Sequence, residues 1–269
     1  MKETEPTRVW RSEAGKRPIA AADRLASEEP LEIRVDGQPV SVTMRTPGAD
    51  DELAAGFLVS EGVVRRSAEV ARVEPLAAGG TGNVVDVRLA PGHAVDLARL
   101  TRHVFASSSC GLCGKVTIEA VRGGFPPVGP GPVIDAAMLL QLPDRLRAEQ
   151  PGFGETGGLH AAAVFDVDGR LVAAREDVGR HNAVDKVLGY GLLHGLLPFA
   201  AHVLMVSGRA SFEIVQKALA GGIPIVAAVS APSTLAVELA EESGQTLVGF
   251  LRPPRLNVYA APERIRFAD

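Results

Sequence analysis

A near-continuous apolar run at residues 223–229 is the feature of this sequence that most narrowly limits its fold. A strand with one solvated face alternates apolar and polar residues, whereas an unbroken run suits a strand that helices cover on both faces. Two further predicted strands, at residues 201–206 and 246–251, are separated from it by predicted helices at residues 211–220 and 233–242. This alternation predicts an α/β fold in which a mixed sheet is layered with helices.

The first half of the chain carries signals of antiparallel strands instead. Asp36-Gly37 lies between two alternating runs and predicts a hairpin over residues 31–46. Acidic residues at 50–52 predict a helix that starts there and ends near Gly62. Two more strands are predicted at residues 71–76 and 84–89. We therefore expect a smaller β-rich domain ahead of the α/β domain.

Glycine and proline fill residues 123–134, where missing N–H donors and the entropy cost of glycine oppose any regular element. We predict a linker there. Beyond it the sequence predicts a helix at residues 135–149 despite Pro143, a strand pair around Asp168-Gly169, and a helix at residues 182–194. The predicted division is an N-terminal tail (1–30), a β-rich domain that ends in a cysteine loop (31–122), the linker (123–134) and the α/β domain (135–269).

Cys110 and Cys113 are the only two cysteines, and they lie in a serine- and glycine-rich loop at residues 107–114. Two cysteines are too few for a disulfide framework, and a C-x-x-C pair in a reducing compartment is more often catalytic, redox-active or metal-binding. The loop offers little apolar surface, which argues against an inert buried pair. Three interpretations stay open at this point: half of a zinc site, a thioredoxin-like reductase, or a sulfur carrier.

Charge and hydropathy exclude two classes of partner. The formal net charge is −4, so nothing indicates a general affinity for nucleic acid or for an anionic membrane surface. Residues 1–30 lack the apolar core of a secretory signal, and no window approaches the roughly 18 apolar residues of a membrane span. We expect a cytoplasmic protein that binds neither nucleic acid nor membrane.

Three loops that follow predicted strands combine small or polar residues with a helix N-terminus: residues 175–182, 207–211 and 230–234. Ligands of such sheets bind beyond the carboxyl ends of the strands, and Arg180 and Arg209 suit phosphate oxygens. Solvated charges at helix starts are the ordinary alternative. Ser211 is expected to cap the helix that follows it. His160 is more often a core histidine than a catalyst, whereas His181 lies in a charged loop.

Six blocks of sequence together resemble the FdhD family of formate dehydrogenase accessory sulfurtransferases, also labelled FdhD/NarQ. The blocks are DELAAGFLVSEG (51–62), SCGLCG (109–114), TGGLHAA (156–162), EDVGRHNAVDK (176–186), SGRASFE (207–213), and GFLR with NVY (249–252 and 257–259). Each block alone is a weak signal, but six in this order are highly specific and run nearly end to end.

The resemblance implies a protein that receives persulfide sulfur from a cysteine desulfurase and passes it to the molybdenum of bis-molybdopterin guanine dinucleotide (bis-MGD), before formate dehydrogenase takes up that cofactor. It implies Cys110 as persulfide carrier, with Cys113 assisting transfer or resolving the persulfide. A homodimer is expected, with bis-MGD bound as cargo and no metal site of the protein's own. The family's cofactor-binding segment corresponds to Phe250, Leu251, Arg252, Pro253, Pro254 and Arg255. The loops at the strand ends add the candidates Arg180, His181, Ser207, Arg209, Ser211 and His160.

The family is similar in fold to cytidine deaminases, which implies a three-layer C-terminal domain and raises deamination as a competing activity. Zinc deaminases require a His-x-Glu segment and a later Pro-Cys-x-x-Cys segment. Here His160 is followed by Ala161 and Ala162, and both cysteines precede it, so the sequence argues against deamination. The alternative that stays open is a non-catalytic chaperone that binds and protects the cofactor, with the cysteine pair as a metal or redox site.

Overall fold

The structure is a computed structural model, and it describes residues 3–76, 82–93, 95 and 124–268. The strands are β1 (Thr4–Arg11), β2 (Ile19–Ala26), β3 (Glu29–Val35), β4 (Gln38–Arg45), β5 (Val70–Leu76), β6 (Val84–Leu89), β7 (Ile134–Asp135), β8 (His160–Asp166), β9 (Leu171–Asp177), β10 (His202–Val206), β11 (Ile225–Ala228), β12 (Thr246–Arg252), β13 (Arg255–Ala260) and β14 (Ile265–Arg266). The α-helices are α1 (Asp50–Ser60), α2 (Ala136–Leu139), α3 (Leu142–Ala148), α4 (Pro151–Thr156), α5 (Arg180–Leu193), α6 (Phe212–Ala220) and α7 (Thr234–Ser243).

The largest sheet has six strands in the order β13-β12-β11-β10-β8-β9. Strands β10, β11 and β12 are mutually parallel, while β8 runs antiparallel to β10, β9 to β8, and β13 to β12. The predicted mixed sheet of an α/β fold is therefore confirmed. The strand pair around Asp168-Gly169 is confirmed as β8 and β9.

Helices cover both faces of this sheet, as the apolar run at residues 223–229 predicts. Every residue of β11 is buried. Val226 packs on one face in a cluster with residues of α1, α5, α6 and α7, while Ile225 packs on the other with residues of α2 and α3. Successive strand side chains point to opposite faces, so an unbroken apolar strand fills both clusters at once.

The second sheet has four strands in the order β4-β3-β6-β5. The predicted hairpin is β3 and β4, and Asp36 and Gly37 both have the positive φ that such a tight turn requires. Helix α1 joins this sheet to the rest of the molecule by packing along α5. Leu31 and Leu247, from the two halves of the chain, belong to one continuous hydrophobic cluster. The division into separate domains stays a prediction.

Three stretches differ from the sequence-based expectation. The part assigned as a tail, residues 1–30, contains β1 and β2, which pair antiparallel. One end of this ribbon is held by Glu155 of α4, which accepts from Thr4 Oγ1 at 2.8 Å and pairs with Arg24 Nε at 2.7 Å. The sequence did not indicate this pairing, because both strands are mostly exposed and carry no apolar alternation. Backbone hydrogen bonds between the two strands stabilise the ribbon.

The single helix predicted at residues 135–149 is two short helices, α2 and α3. Pro143 lies in the first turn of α3, where its missing N–H costs nothing, so the chain restarts a helix there and does not run through. Strand β13 was not predicted. Pro253 and Pro254 form the turn that connects it to β12.

Candidate functional site

The ends of four strands bring the predicted ligand-binding loops to one edge of the large sheet. Strands β9, β10, β11 and β12 all end at this edge, and β8 begins there at His160. We call it the carboxyl edge. Helices α5, α6 and α7 each begin just after one of these strands, so their N-termini lie at the same edge. Free N–H groups at helix N-termini favour bound anions.

Backbone hydrogen bonds join three of the loops into one surface. Ser230 N donates to Gly208 O at 3.2 Å, and Ala210 N donates to Ala231 O at 3.2 Å. Phe250 N donates to Ser230 O at 3.1 Å. The loops after β10, β11 and β12 are therefore held together, and the residues predicted at 207–211 and 250–252 lie side by side.

Three buried polar atoms at this edge have no hydrogen-bond partner among the described residues: Arg180 Nε, His181 Nε2 and Ser211 Oγ. Ser211 lies at the N-cap position of α6, but its side chain makes no capping bond, so the predicted capping role is wrong. His181 Nε2 is 3.8 Å from Glu213 Oε2, which is beyond hydrogen-bond distance. Buried polar groups are normally paired, so these atoms mark a place where a polar ligand fits.

Both histidines of the site have a lowered pKa, which favours the neutral form of the ring. Burial, reinforced by Lys217 and Arg180, lowers the pKa of His181 to about 3. Burial and the charge of Arg180 also lower the pKa of His160. His160 is half-buried and lies beside Gly208, so it is not the core histidine that the sequence favours. Two neutral imidazoles near a positive edge can donate and accept hydrogen bonds without repelling an arginine.

Four arginines at the carboxyl edge form no ion pair with any carboxylate of the described residues: Arg180, Arg209, Arg252 and Arg255. Arg209, Arg252 and Arg255 are exposed. Arg252 Nε donates to Val229 O at 2.9 Å, which fixes the root of its guanidinium over the β11 loop. Unpaired guanidinium groups beside helix N-termini are what phosphate oxygens bind.

The segment from Phe250 to Arg255 crosses this edge as the end of β12 and the start of β13. Phe250 has φ 47° and a side chain 39% exposed, so it projects outward. Leu251 is fully buried in the apolar cluster, which leaves only its backbone for contact with a ligand. Pro253 and Pro254 are exposed in the turn between the strands.

A cleft of about 450 Å³ opens beside the edge, with His160 and Ser207 on one wall and Arg147 and Phe153 on the other. Ser207 Oγ accepts from Ala161 N at 2.9 Å, which ties this wall to β8. The guanidinium of Arg147 lies 4.3 Å above the centre of the Phe153 ring. Neither residue was predicted: Arg147 lies inside the helix expected at residues 135–149, and Phe153 follows it in a stretch for which no element was predicted.

The block at residues 176–186 is largely scaffold. Asp177 pairs with the buried Lys186 at 2.8 Å, and Asp185 pairs with Lys217 at 2.7 Å. Burial raises the pKa of Asp185 against the opposing effect of Lys217. Glu176 accepts from Gly152 N and Phe153 N at 2.8 Å each. These bonds pair two backbone N–H groups in the first turn of α4, which have no partner within the helix. Within this block, Arg180 and His181 are the residues that face the carboxyl edge with unpartnered atoms.

Cys110 and Cys113, and the whole loop at residues 107–114, lie outside the described residues. Among the residues that the structure does describe, no cluster of three or more His, Cys, Asp or Glu could hold a metal ion. Every helix of the described ranges is too short or too polar to cross a membrane.

Comparison with known proteins extends the resemblance over nearly the whole chain. The sequence profile of the FdhD/NarQ family matches residues 26–266. A Streptomyces avermitilis protein named sulfur carrier protein FdhD is 55% identical over 255 residues, which cover 90% of this chain and 89% of that protein. A protein of the same name from Mycobacterium tuberculosis is 54% identical over 257 residues, with 92% and 93% covered. A crystal structure of a protein proposed to be a formate dehydrogenase accessory protein, from Desulfotalea psychrophila, is 27% identical with a TM-score of 0.81, and covers 98% of this chain and 100% of that one.

Proposed function

Because this chain belongs to the FdhD/NarQ family, we propose that it is a sulfur carrier in the maturation of formate dehydrogenase. In finer detail, we propose that it accepts persulfide sulfur from a cysteine desulfurase and passes it to the molybdenum of bis-MGD before the cofactor enters its enzyme. The observation that carries the proposal is the carboxyl edge itself, where unpaired arginines and helix N-termini surround three unpartnered polar atoms.

The chemistry of that edge fits a guanine dinucleotide. Each arm of the cofactor carries two phosphates, and these match the N-termini of α5, α6 and α7 together with Arg180, Arg209 and Arg252. A guanine base offers both donors and acceptors, which can pair with neutral His181 and with Ser211 Oγ. The exposed ring of Phe250 supplies an apolar face beside them.

Sulfur transfer rests on the cysteine pair. The thiolate of Cys110 attacks the outer sulfur of the donor's persulfide, and the donor leaves as a thiolate. Cys110 then carries the persulfide. Attack by the Cys113 thiolate on Cys110 Sγ releases that sulfur as hydrosulfide, the form that molybdenum takes as a ligand. This step leaves a Cys110–Cys113 disulfide, so the two thiols supply the two electrons, and a dithiol reductant restores the pair.

Two measurements test the proposal. Intact mass spectrometry after incubation with a cysteine desulfurase and cysteine is expected to show one added sulfur on the Cys110–Cys113 peptide, absent in Cys110→Ala. Calorimetry is expected to show GDP binding that Cys110→Ala retains and that Arg209→Ala weakens. A Cys110→Ala protein that still activates formate dehydrogenase would instead establish the cofactor chaperone.

We also propose a homodimer, since a cofactor with two nucleotide arms suits two copies of the carboxyl edge. Sedimentation equilibrium tests it, with twice the 28.1 kDa chain mass expected. A monomer that binds the complete cofactor would contradict the pairing of edges.

A further inference from the structure

A second concave surface lies at the opposite end of the large sheet, where β10 and β11 begin. It is an open groove of about 550 Å³ between the segment at residues 125–130 and the residues that precede these two strands. Five prolines line it: Pro126, Pro127, Pro130, Pro198 and Pro224. Leu197 and Leu219 add apolar side chains. Because prolines offer no N–H, they present apolar surface to the groove but no donor for pairing with an added strand.

One rim of the groove is basic. Arg65 and Arg66 are both exposed there, and Arg66 Nε forms an ion pair with Glu69 Oε1 at 3.4 Å. The Glu69 carboxylate already accepts the backbone N–H groups of Arg65 and Arg66, so it is committed to the turn that holds them. The guanidinium of Arg65 forms no ion pair within the described residues, which leaves the rim with a net positive charge. An occupant with carboxylates beside apolar side chains complements this surface.

The groove also lies where the cysteine-bearing segment leaves and rejoins the described fold. His93, near the departure point, bonds through Nε2 to Val63 O at 2.8 Å. Phe125, just after the return point, lies against Gly62 and packs on the main hydrophobic cluster. Both attachment points are therefore next to the turn that carries Arg65 and Arg66.

The number of residues between Cys110 and the described fold sets an upper limit on their separation. Cys110 is 15 residues from Val95 and 15 residues from Phe125. A chain of that length spans at most about 50 Å, whereas a five-residue strand such as β10 is about 17 Å long. This upper limit exceeds the length of β10, so chain length alone permits Cys110 to contact a donor in the groove and a cofactor at the carboxyl edge.

We propose that this groove docks the sulfur donor, through an apolar segment of the donor protein whose flanking carboxylates contact Arg65 and Arg66. The inference rests on the proposed sulfur-carrier function and adds where the donor binds. Donor and acceptor then occupy opposite ends of the sheet, so a bound cofactor does not obstruct loading.

The test uses the full chain with Arg65 and Arg66 both changed to Glu. The matched control changes two exposed arginines of the β1–β2 ribbon region, Arg11→Glu and Arg17→Glu, which alters the net charge equally. Sulfur loading from a purified cysteine desulfurase with cysteine is followed by intact mass spectrometry. We expect kcat/KM for the desulfurase to fall about tenfold or more in the groove variant, mainly through KM and most strongly at low salt, and to stay unchanged in the control.

A second sulfur donor distinguishes a wrong docking site from a wrong assignment of the sulfur-carrier function. Glutathione persulfide needs no docking surface, so we expect it to load all variants equally. Loss of loading from this small donor, in the parent protein too, would sink the sulfur-carrier function itself. Equal loading of every variant from the desulfurase would overturn the groove alone. If the groove variant changes its mass in sedimentation but is loaded with sulfur as fast as the parent, the groove binds a second copy of the chain. That result would also overturn the proposal.

Discussion

Helices α1 and α5 touch backbone to backbone, and this contact yields the sharpest prediction about the fold. A Cβ built on Gly189 would lie 1.8 Å from Glu52 O, and one built on Gly56 would lie 1.7 Å from Asp185 O. Ordinary contact of a Cβ begins near 3.4 Å. Gly189→Ala therefore requires the helices to separate by about 1.6 Å, because a backbone carbonyl cannot rotate away as a side chain can.

The loss of stability in Gly189→Ala depends on how much packing is disrupted when α1 and α5 move apart. Overpacking a core costs about 1–3 kcal/mol, and here the whole α1–α5 interface has to move, so we expect Gly189→Ala to lose about 3 kcal/mol or more of unfolding free energy. That loss corresponds to a fall in Tm of about 6–12 °C, at 2–4 °C for each kcal/mol. Urea unfolding and a thermal melt measure the two quantities.

A matched substitution gives the opposite sign. Gly154 lies within α4, and a Cβ there would meet nothing within 4 Å, so Gly154→Ala is expected to be neutral or to stabilise by up to about 1 kcal/mol. The double variant Gly56→Ala with Gly189→Ala is expected to cost less than the sum, because one separation relieves both clashes. A Gly189→Ala protein within about 0.5 kcal/mol of the parent would refute the close-contact argument.

Three other predictions concern single charged or titratable side chains. Asp177→Asn leaves the buried Lys186 ammonium without its partner, so a loss of about 3–5 kcal/mol is expected in urea unfolding. His181 has a pKa of about 3 when folded and near 6.5 when unfolded, so the unfolded state binds the extra proton between these values. Stability falls as pH drops from about 6.5 toward 3, and we expect His181→Asn to flatten that part of the pH profile of Tm. Arg252→Ala is expected to weaken GDP binding and to make its salt dependence shallower in calorimetric titrations, whereas an unchanged salt slope would remove Arg252 from the phosphate site.

The alternation of apolar runs and turn signals predicted most of the α/β part correctly. The predicted strands at 201–206, 223–229 and 246–251 correspond to β10, β11 and β12, and the two helices between them start within one residue of their predicted positions. These elements are strongly patterned and are separated by short loops that contain glycine, proline or serine. Burial on both faces leaves such sequences few other structures to form.

The elements that the sequence did not reveal depend on contacts distant along the chain. The β1–β2 ribbon is mostly exposed and is anchored through Glu155, more than 100 residues away. Strand β13 forms because the turn at Pro253 and Pro254 returns the chain to the edge of β12. The ribbon has no apolar period of its own, whereas β13 alternates Leu256, Val258 and Ala260, a strand signal that the prediction did not use.

In the candidate site too, the sequence alone does not tell which residues contact a ligand. The charged block at residues 176–186 contains both scaffold and candidate ligand groups, and the helix period separates them. Arg180 and His181 occupy the first turn of α5 and face the carboxyl edge, while Asp185 and Lys186 lie one turn further on and point into the core. Their roles are therefore separable by experiment: changes at Asp185 or Lys186 reduce stability first, whereas changes at Arg180 reduce ligand binding in a protein that still folds. A dense run of charged residues marks a region to examine, but only the side-chain directions tell which of its residues can meet a ligand.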